Sequence, residues 1–367
     1  MNFNTIFLKS FRVLLLPFAL LYGLVVIIRN WLYNKKYLHS AEFGFPLICV
    51  GNLVVGGTGK SPMVEYLVGL LKDKYQVATL SRGYKRKTKG YALADENTTA
   101  LEIGDEPMQF HKKFPNIAVA VGEARIEAIP QLLHDRPATE VIILDDAFQH
   151  RAVKAGFNIL LTEYNDIFNR DFFLPTGDLR DARSSYKRAD IIVVTKCPAF
   201  LGEVEKAEMI KDVKPLAHQK VLFTAIEYGR PYHIYSEVQK DVTGEDEVLL
   251  VCGIANPKPL KQYLSERAYT YYQQDYNDHH IFSIDDLAEI EKKFDGITSE
   301  HKLILTTEKD AVRLEKFKDK LQHLPLYVLP IRHGFLFDEG NAFDEAVIHF
   351  IKNFQPIKDN EQKERQE

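Results

Sequence analysis

Cysteine is scarce in this sequence: three residues in 367, Cys49, Cys197 and Cys252. Each lies in or beside an apolar run and none has metal-ligand spacing. That sets aside a disulfide framework and a cysteine zinc site, and leaves buried thiols in a reducing compartment. An excess of one charge is also missing. The 47 basic and 51 acidic residues leave a net charge of −4, so bulk electrostatics give no reason to expect nucleic acid. No internal repeat occurs, and nothing points to a protein partner. What is present is an ordinary globular composition, 46% hydrophobic and 27% charged, in a chain long enough for two or three domains.

One segment departs from that average. Val13 to Ile28 reads VLLLPFALLYGLVVII, uncharged, between Arg12 and Arg29. As a helix it reaches about 24 Å, against about 30 Å for a bilayer core. Lys9 and Arg12 precede it; Trp31, Tyr33, Lys35, Lys36 and Tyr37 follow. Flanking arginines can snorkel, and aromatic and basic residues suit a membrane interface. A buried core helix and a cleaved signal peptide are the competing readings, but no small-x-small cleavage site stands before the soluble fold. Membrane anchoring or monotopic insertion is the expectation. With positive charge on both sides, orientation is left open, although a nucleotide-using body would face the cytoplasm.

Beyond this helix, short apolar runs alternate with helical patterns. Strands are predicted at 47–50, 77–80, 117–121, 141–145, 159–162 and 191–195, with amphipathic stretches such as 63–71 and 123–133 between them. That alternation argues for a parallel sheet with helices on both faces. Val221–Tyr228 and Tyr232–Val238 flank Gly229-Arg230-Pro231 and read as a hairpin or connecting ribbon. A second α/β pattern follows, with strands at 248–252, 269–272, 303–306 and 326–329 and helices at 259–265, 284–294 and 343–353. The predicted organisation is an N-terminal membrane-associated helix (1–38), a three-layer α/β/α domain of P-loop NTPase type (39–218), a linking β-ribbon (219–240), a smaller α/β domain (241–355) and a polar, disordered tail (356–367). A cleft between the domains is the natural place for a ligand.

The stretch VGNLVVGGTGKSP, Val50 to Pro62, ends as a phosphate-binding loop does, although Val54 stands where the first glycine is usual. It follows a strand and precedes a helix. Backbone N–H groups of Gly56, Gly57, Thr58 and Gly59 can form an anion cradle, Lys60 can reach terminal phosphates, and the Ser61 hydroxyl can ligate Mg²⁺. The bland alternative is a structural turn. VIILDDAFQH supports the site, because an apolar strand ending in acidic residues can deliver Asp145 or Asp146 to a metal beside the loop. A kinase built on such a loop also needs a group to orient and deprotonate a hydroxyl. Asp105 and Glu106 of GDEP are candidates, or else cap a helix at Pro107. In Asp278-His279-His280 a histidine facing an aspartate across the cleft would make a plausible base pair, against the commoner surface or packing role. Arg125 can clamp a phosphate or form a surface ion pair. The basic run SRGYKRKTKG is either a solvated loop or an anion site beside a membrane.

Taken in order, GNLVVGGTGKSP, SRGYKRK, GDEP, VGEARIEA, LDDAFQHR, LPTGDLRD, DHHIF and TEKDAVRL, together with the apolar N-terminal helix, resemble the tetraacyldisaccharide 4′-kinase family over roughly residues 11–314. The resemblance implies a P-loop kinase of two α/β/α domains joined by a β-ribbon. It implies transfer of the ATP γ-phosphate to the 4′-hydroxyl of a lipid A disaccharide 1-phosphate, with Mg²⁺, at the cytoplasmic face of the inner membrane. By motif, Lys60 and Thr58 fall on phosphate-binding positions, Ser61, Asp145 and Asp146 on metal positions, Asp105 on the base and His279 on its partner. Tyr84, Glu106, Arg125 and Gln149 match other active-site positions. The sequence departs from the family pattern at Ser61, Ala147 and Asp181, where Thr, Gly and Glu are usual. The alternative of another class is a membrane-tethered P-loop switch or partitioning ATPase.

Overall fold

A computed structural model describes residues 12–355; the predicted tail 356–367 and Lys9 lie outside them. The strands are β1 (Leu47–Asn52), β2 (Val77–Ser81), β3 (Ala92–Leu93), β4 (Ala118–Val121), β5 (Val141–Asp145), β6 (Phe157–Glu163), β7 (Ile191–Thr195), β8 (Lys220–Tyr228), β9 (Tyr232–His233), β10 (Glu247–Cys252), β11 (Thr270–Asp275), β12 (Lys302–Thr307), β13 (Leu326–Leu329) and β14 (Ile331–Phe335). They make a nine-stranded sheet, ordered β14-β8-β7-β6-β1-β5-β2-β4-β3, and a five-stranded sheet, ordered β11-β10-β12-β13-β9. The inner strands of the first sheet are parallel and buried along their length, because helices cover both faces. Leu53, Leu144 and Phe148 centre the core on one face; Val50, Met63 and Leu67 centre it on the other. The mixed α/β fold expected from the alternation is the one observed.

Register aligns what the cleft needs. β1 pairs with β5 so that Val50 lies beside Asp145, which puts the carboxyl-terminal end of β5 against the strand feeding the glycine-rich loop. Ligands of open parallel sheets bind at these strand ends.

Two expectations are corrected. Val221–Tyr228 and Tyr232–Val238 do not pair with each other. β8 pairs antiparallel with β14 and β9 with β13, so the ribbon joining the sheets is built from segments a hundred residues apart in sequence. Leu222 to Ala225 are buried, and a lone hairpin could not cover them. The division at 241–355 also shifts, because β14 and the helix Gly340–Lys352 return to the first sheet. Phe343, Val347 and Ile351 of that helix pack in the same core as Met63 and Leu67.

The N-terminal helix runs from Leu16 to Asn34 after one 3-10 turn. Ala19, Gly23 and Asn30 are buried, while Phe18, Leu20, Leu21, Leu24 and Ile27 remain exposed. At its start Arg12 donates to Pro175 O at 2.9 Å and to Asp178 Oδ1 at 2.7 Å; near its end Asn30 Nδ2 donates to Asp181 Oδ1 at 2.7 Å. Both ends therefore bond to one segment of the body, and the helix lies along it with an apolar face outward. This is consistent with membrane association.

Candidate active site in the interdomain cleft

A cleft of about 2270 Å³ opens between the two sheets. Its floor is the glycine-rich loop. Gly56 and Gly57 have no atom within 4 Å of where a Cβ would stand, so the loop's upper surface is open. Val54 is buried and bridges Leu179, and Val55 N donates to Asp178 O at 2.8 Å. The segment LPTGDLRD thus packs the front of the loop, which accounts for valine where glycine is usual. Thr58 differs from its neighbours: its N–H turns back on Gly56 O at 3.2 Å and its side chain is buried beneath the loop. Gly56, Gly57, Gly59, Lys60 and Ser61 line the cleft.

Carboxylates crowd the wall beside the loop. Lys60 Nζ lies 3.8 Å from Asp146 Oδ1 and donates to Asn52 Oδ1 at 3.3 Å. Asp146 has a left-handed φ of 47°, so the strained residue of the DDAFQHR turn is the second aspartate and not Ala147. Arg180 Nη1 donates to Asp146 Oδ2 at 3.0 Å, and Nη2 bonds both Asp146 Oδ1 and Asn52 Oδ1. Burial works to raise the Asp146 pKa, but Lys60 and Arg180 outweigh it and hold the carboxyl below its ordinary range. Asp145 has no such cation to itself. It accepts from Ser81 Oγ at 3.2 Å, its Oδ1 is buried with no partner among the described residues, and burial with the nearby Glu106 and Asp146 charges pushes its pKa up to about 7. Gln149 Nε2 donates to Asn52 O at 2.6 Å, tying the FQH turn to β1. Arg125 is buried and donates to Gly122 O at 2.9 Å and Asp145 O at 3.3 Å. It braces the ends of β4 and β5 and does not stand free as a clamp.

The second sheet brings the other wall. His279 Nδ1 lies 2.9 Å from Asp105 Oδ2 and 3.2 Å from Arg313 Nη2, so it donates to the carboxylate when it carries the proton and accepts from the guanidinium when it does not. Arg313 Nε donates to the same oxygen at 2.9 Å. Arg313 is aimed by Asp310 Oδ1 at 2.9 Å and Gly253 O at 3.2 Å, and Asp310 is itself fully buried. Burial alone would raise the Asp105 pKa, but the His279 bond and the Arg313 charge hold it below the usual range. Beside it Glu106 Oε1 accepts from Lys309 Nζ at 2.7 Å. Tyr84 meets the His279 ring edge-on at 5.8 Å. His280 turns away, pairing with Asp286 at 3.0 Å and stacking on Tyr276 at 4.5 Å. Of the histidine pair, only His279 lines the cleft.

Sequence reasoning did not single out Arg180, Lys309 and Arg313. All three stand in the quoted motifs LPTGDLRD and TEKDAVRL, which was the available signal; their partners lie 34 to 208 residues away. His150 was not singled out either; it stands among Arg125, Arg29 and Arg82, and burial and those charges push its pKa down to about 4.

The whole arrangement suits a nucleotide's phosphates at the loop, a divalent cation at the carboxylates and an anionic hydroxyl-bearing acceptor opposite. Glu106, Asp145 and Asp146 repel one another electrostatically, and one buried carboxylate oxygen has no donor. A hard cation sharing phosphate and water oxygens relieves both. No group of three or more His, Cys, Asp or Glu side chains among the described residues forms a metal cage alone.

Comparison with known proteins agrees. The model of the family described as tetraacyldisaccharide-1-P 4′-kinase matches residues 11–352. The tetraacyldisaccharide 4′-kinase of Flavobacterium johnsoniae is 48% identical over 352 residues, covering 94% of this chain and 99% of that one. That of Bacteroides thetaiotaomicron is 41% identical over 352 residues, covering 92% and 93%. Among solved structures, the "apo" form of LpxK from Aquifex aeolicus in complex with ATP superposes with a TM-score of 0.73 at 29% identity, covering 93% of this chain and 99% of that one.

Proposed function

This chain belongs to the tetraacyldisaccharide-1-P 4′-kinase family, and from that premise we propose how its cleft performs the reaction. The enzyme is an ATP-dependent phosphotransferase of lipid A biosynthesis; its acceptor is the 4′-hydroxyl of a lipid A disaccharide 1-phosphate. The switch or partitioning ATPase gives way to this reading. ATP lies with its β- and γ-phosphates over Gly56, Gly57, Gly59 and the Lys60 ammonium. Ser61 Oγ, Asp145 and Asp146 suit Mg²⁺, which when bound supplies charge neutralisation at those phosphates.

The acceptor approaches from the side of the N-terminal helix, whose Tyr22, Val25, Val26 and Arg29 line the same cleft as the loop. An acylated sugar leaves a bilayer at about 0.8 kcal/mol for each exposed CH₂, so a helix lying along the body with its apolar face outward lets the cleft work at the membrane surface. We assign that surface to the cytoplasmic face of the inner membrane, where ATP is available. The cationic pair Arg29 and Arg82, with the neutral His150 ring beside it, suits a phosphorylated acceptor.

The observation that carries the assignment of roles is the triad of His279, Asp105 and Arg313. Asp105, kept ionised, accepts a hydrogen bond from the 4′-hydroxyl and takes its proton late, because phosphoryl transfer has a loose transition state with little bond to the nucleophile. His279 Nδ1–H orients the carboxylate and Arg313 stabilises its charge. Asp105→Ala tests the assignment: lipid phosphorylation is lost while ATP affinity stays within about twofold. Undiminished transfer by this variant would remove Asp105 from the chemistry.

A further inference from the structure

Two successive carbonyls of the phosphate loop are held from beneath. Thr195 Oγ1, at the end of β7, donates to Thr58 O at 2.9 Å. His333 Nε2, on β14, lies 2.8 Å from Gly59 O. A carbonyl can only accept, so Nε2 carries the proton, and Nδ1, 3.0 Å from Thr224 Oγ1, accepts the threonine hydroxyl. Both ring nitrogens are thereby used in one neutral tautomer. The ring is 2% exposed, and burial pushes its pKa down to about 4, which keeps that tautomer through the physiological range. The fit is close: a Cβ on Gly59 would come 2.9 Å from the ring, and Gly59 has a φ of 86°, so only glycine suits the position. Neither His333 nor Thr195 lines the cleft.

A planar trans peptide sets its C=O and N–H in opposite directions. Holding Thr58 O downward therefore aims the Gly59 N–H up, and holding Gly59 O downward aims the Lys60 N–H up. Both N–H groups stand at the start of the helix Lys60–Leu71, where a helix terminus collects an anion.

We propose that His333 and Thr195 are positioning residues for phosphoryl transfer, orienting two N–H donors of the loop toward the nucleotide's phosphates without touching the nucleotide. The proposal rests on the reading of this loop as the ATP cradle. It gives β14, which crosses back from the second sheet, a role in nucleotide binding. Preorganised donors cost no reorientation when charge builds on the phosphates, and that is the source of the effect.

ATP titration by calorimetry, steady-state kinetics and thermal melting of His333→Leu, His333→Gln and Thr195→Val test it. Leu removes the donor; Gln can still present an amide N–H. ATP affinity falls about tenfold in His333→Leu and about threefold in Thr195→Val, the range of one lost hydrogen bond. His333→Gln recovers most of the loss, and KM for the lipid acceptor is unchanged in all three. Equal losses in His333→Gln and His333→Leu would overturn the proposal, as would ATP and lipid affinities falling in parallel with the melting temperature. If His333→Leu does not fold, the near-isosteric Thr195→Val decides, and parental ATP affinity there refutes the idea. ATP binding is measured without lipid, so a failure of the lipid reading would leave this result readable.

Discussion

Asp145 is the least contented residue in the cleft. Its pKa stands near 7 because burial, Glu106 and Asp146 all disfavour its charge. The folded-state value lies above the unfolded one, so this group favours folding as a neutral acid and loses that contribution as pH rises from about 4 through about 7. Asp145→Asn should thus stabilise the nucleotide-free protein at pH 8 by on the order of 2 kcal/mol, with little effect near pH 4, while abolishing turnover. Melting curves at the two pH values, paired with activity, check it. The same proton competes with the metal: ATP binding in the presence of Mg²⁺ should weaken as pH falls from about 8 to about 6, by roughly tenfold per unit once below the Asp145 pKa. Calorimetry in buffers of different ionisation enthalpy would count the proton released. At this scale the motif residues that line the cleft, such as Lys60, Ser61, Glu106, Asp145, Asp146 and His279, were legible from their types and spacing. Their charge partners were not, because an arginine selects its carboxylate by folding: Arg313 reaches Asp105 across 208 positions.

Among the elements, the N-terminal helix was legible as an apolar run, and its docking was not. Asp181 accepts from Asn30 Nδ2 at 2.7 Å and Ser185 Oγ at 3.0 Å and pairs with Arg188 at 3.1 Å. Its carboxylate fastens the helix to the body. Gly23 lets the helix approach closely, since a Cβ there would stand 2.6 Å from the Phe173 ring. Gly23→Leu should loosen the helix and raise KM for lipid several-fold while ATP affinity holds; parental KM would argue against docking as a functional contact. The outward face makes a separate prediction. Replacing Leu20 and Leu24, 65% and 54% exposed, by lysine should shift the protein from vesicles to supernatant in sedimentation. Each leucine removed from the membrane interior is worth about 2 kcal/mol, or roughly thirtyfold in partitioning.

As a whole molecule the protein is two sheets meeting over one cleft, tied by a ribbon whose strands are a hundred residues apart in sequence. Local periodicity finds strands such as β5, β7 and β13 to the residue, because those runs are continuous and apolar. It does not find β14, whose Arg332, His333 and Gly334 read as a loop and become a strand only against Glu227, Ile226 and Ala225 of β8. Further contacts hold the walls together: Lys113 Nζ sits 2.7 Å from Glu65 and 2.6 Å from Glu308, linking the helices of the two sheets. The second sheet delivers His279 and Arg313 to Asp105, and under the proposed assignment catalysis depends on that contact. Arg313→Ala should lower kcat by about two orders of magnitude with ATP affinity little changed, whereas damage confined to one sheet's nucleotide site would move the affinity first.

The most direct test of the whole account follows the label from γ-labelled ATP into a disaccharide 1-phosphate lipid presented in mixed micelles. The protein is expected to convert the lipid to a bisphosphorylated product with the label on the 4′-oxygen. Label appearing only as inorganic phosphate, with the lipid unchanged, would contradict it.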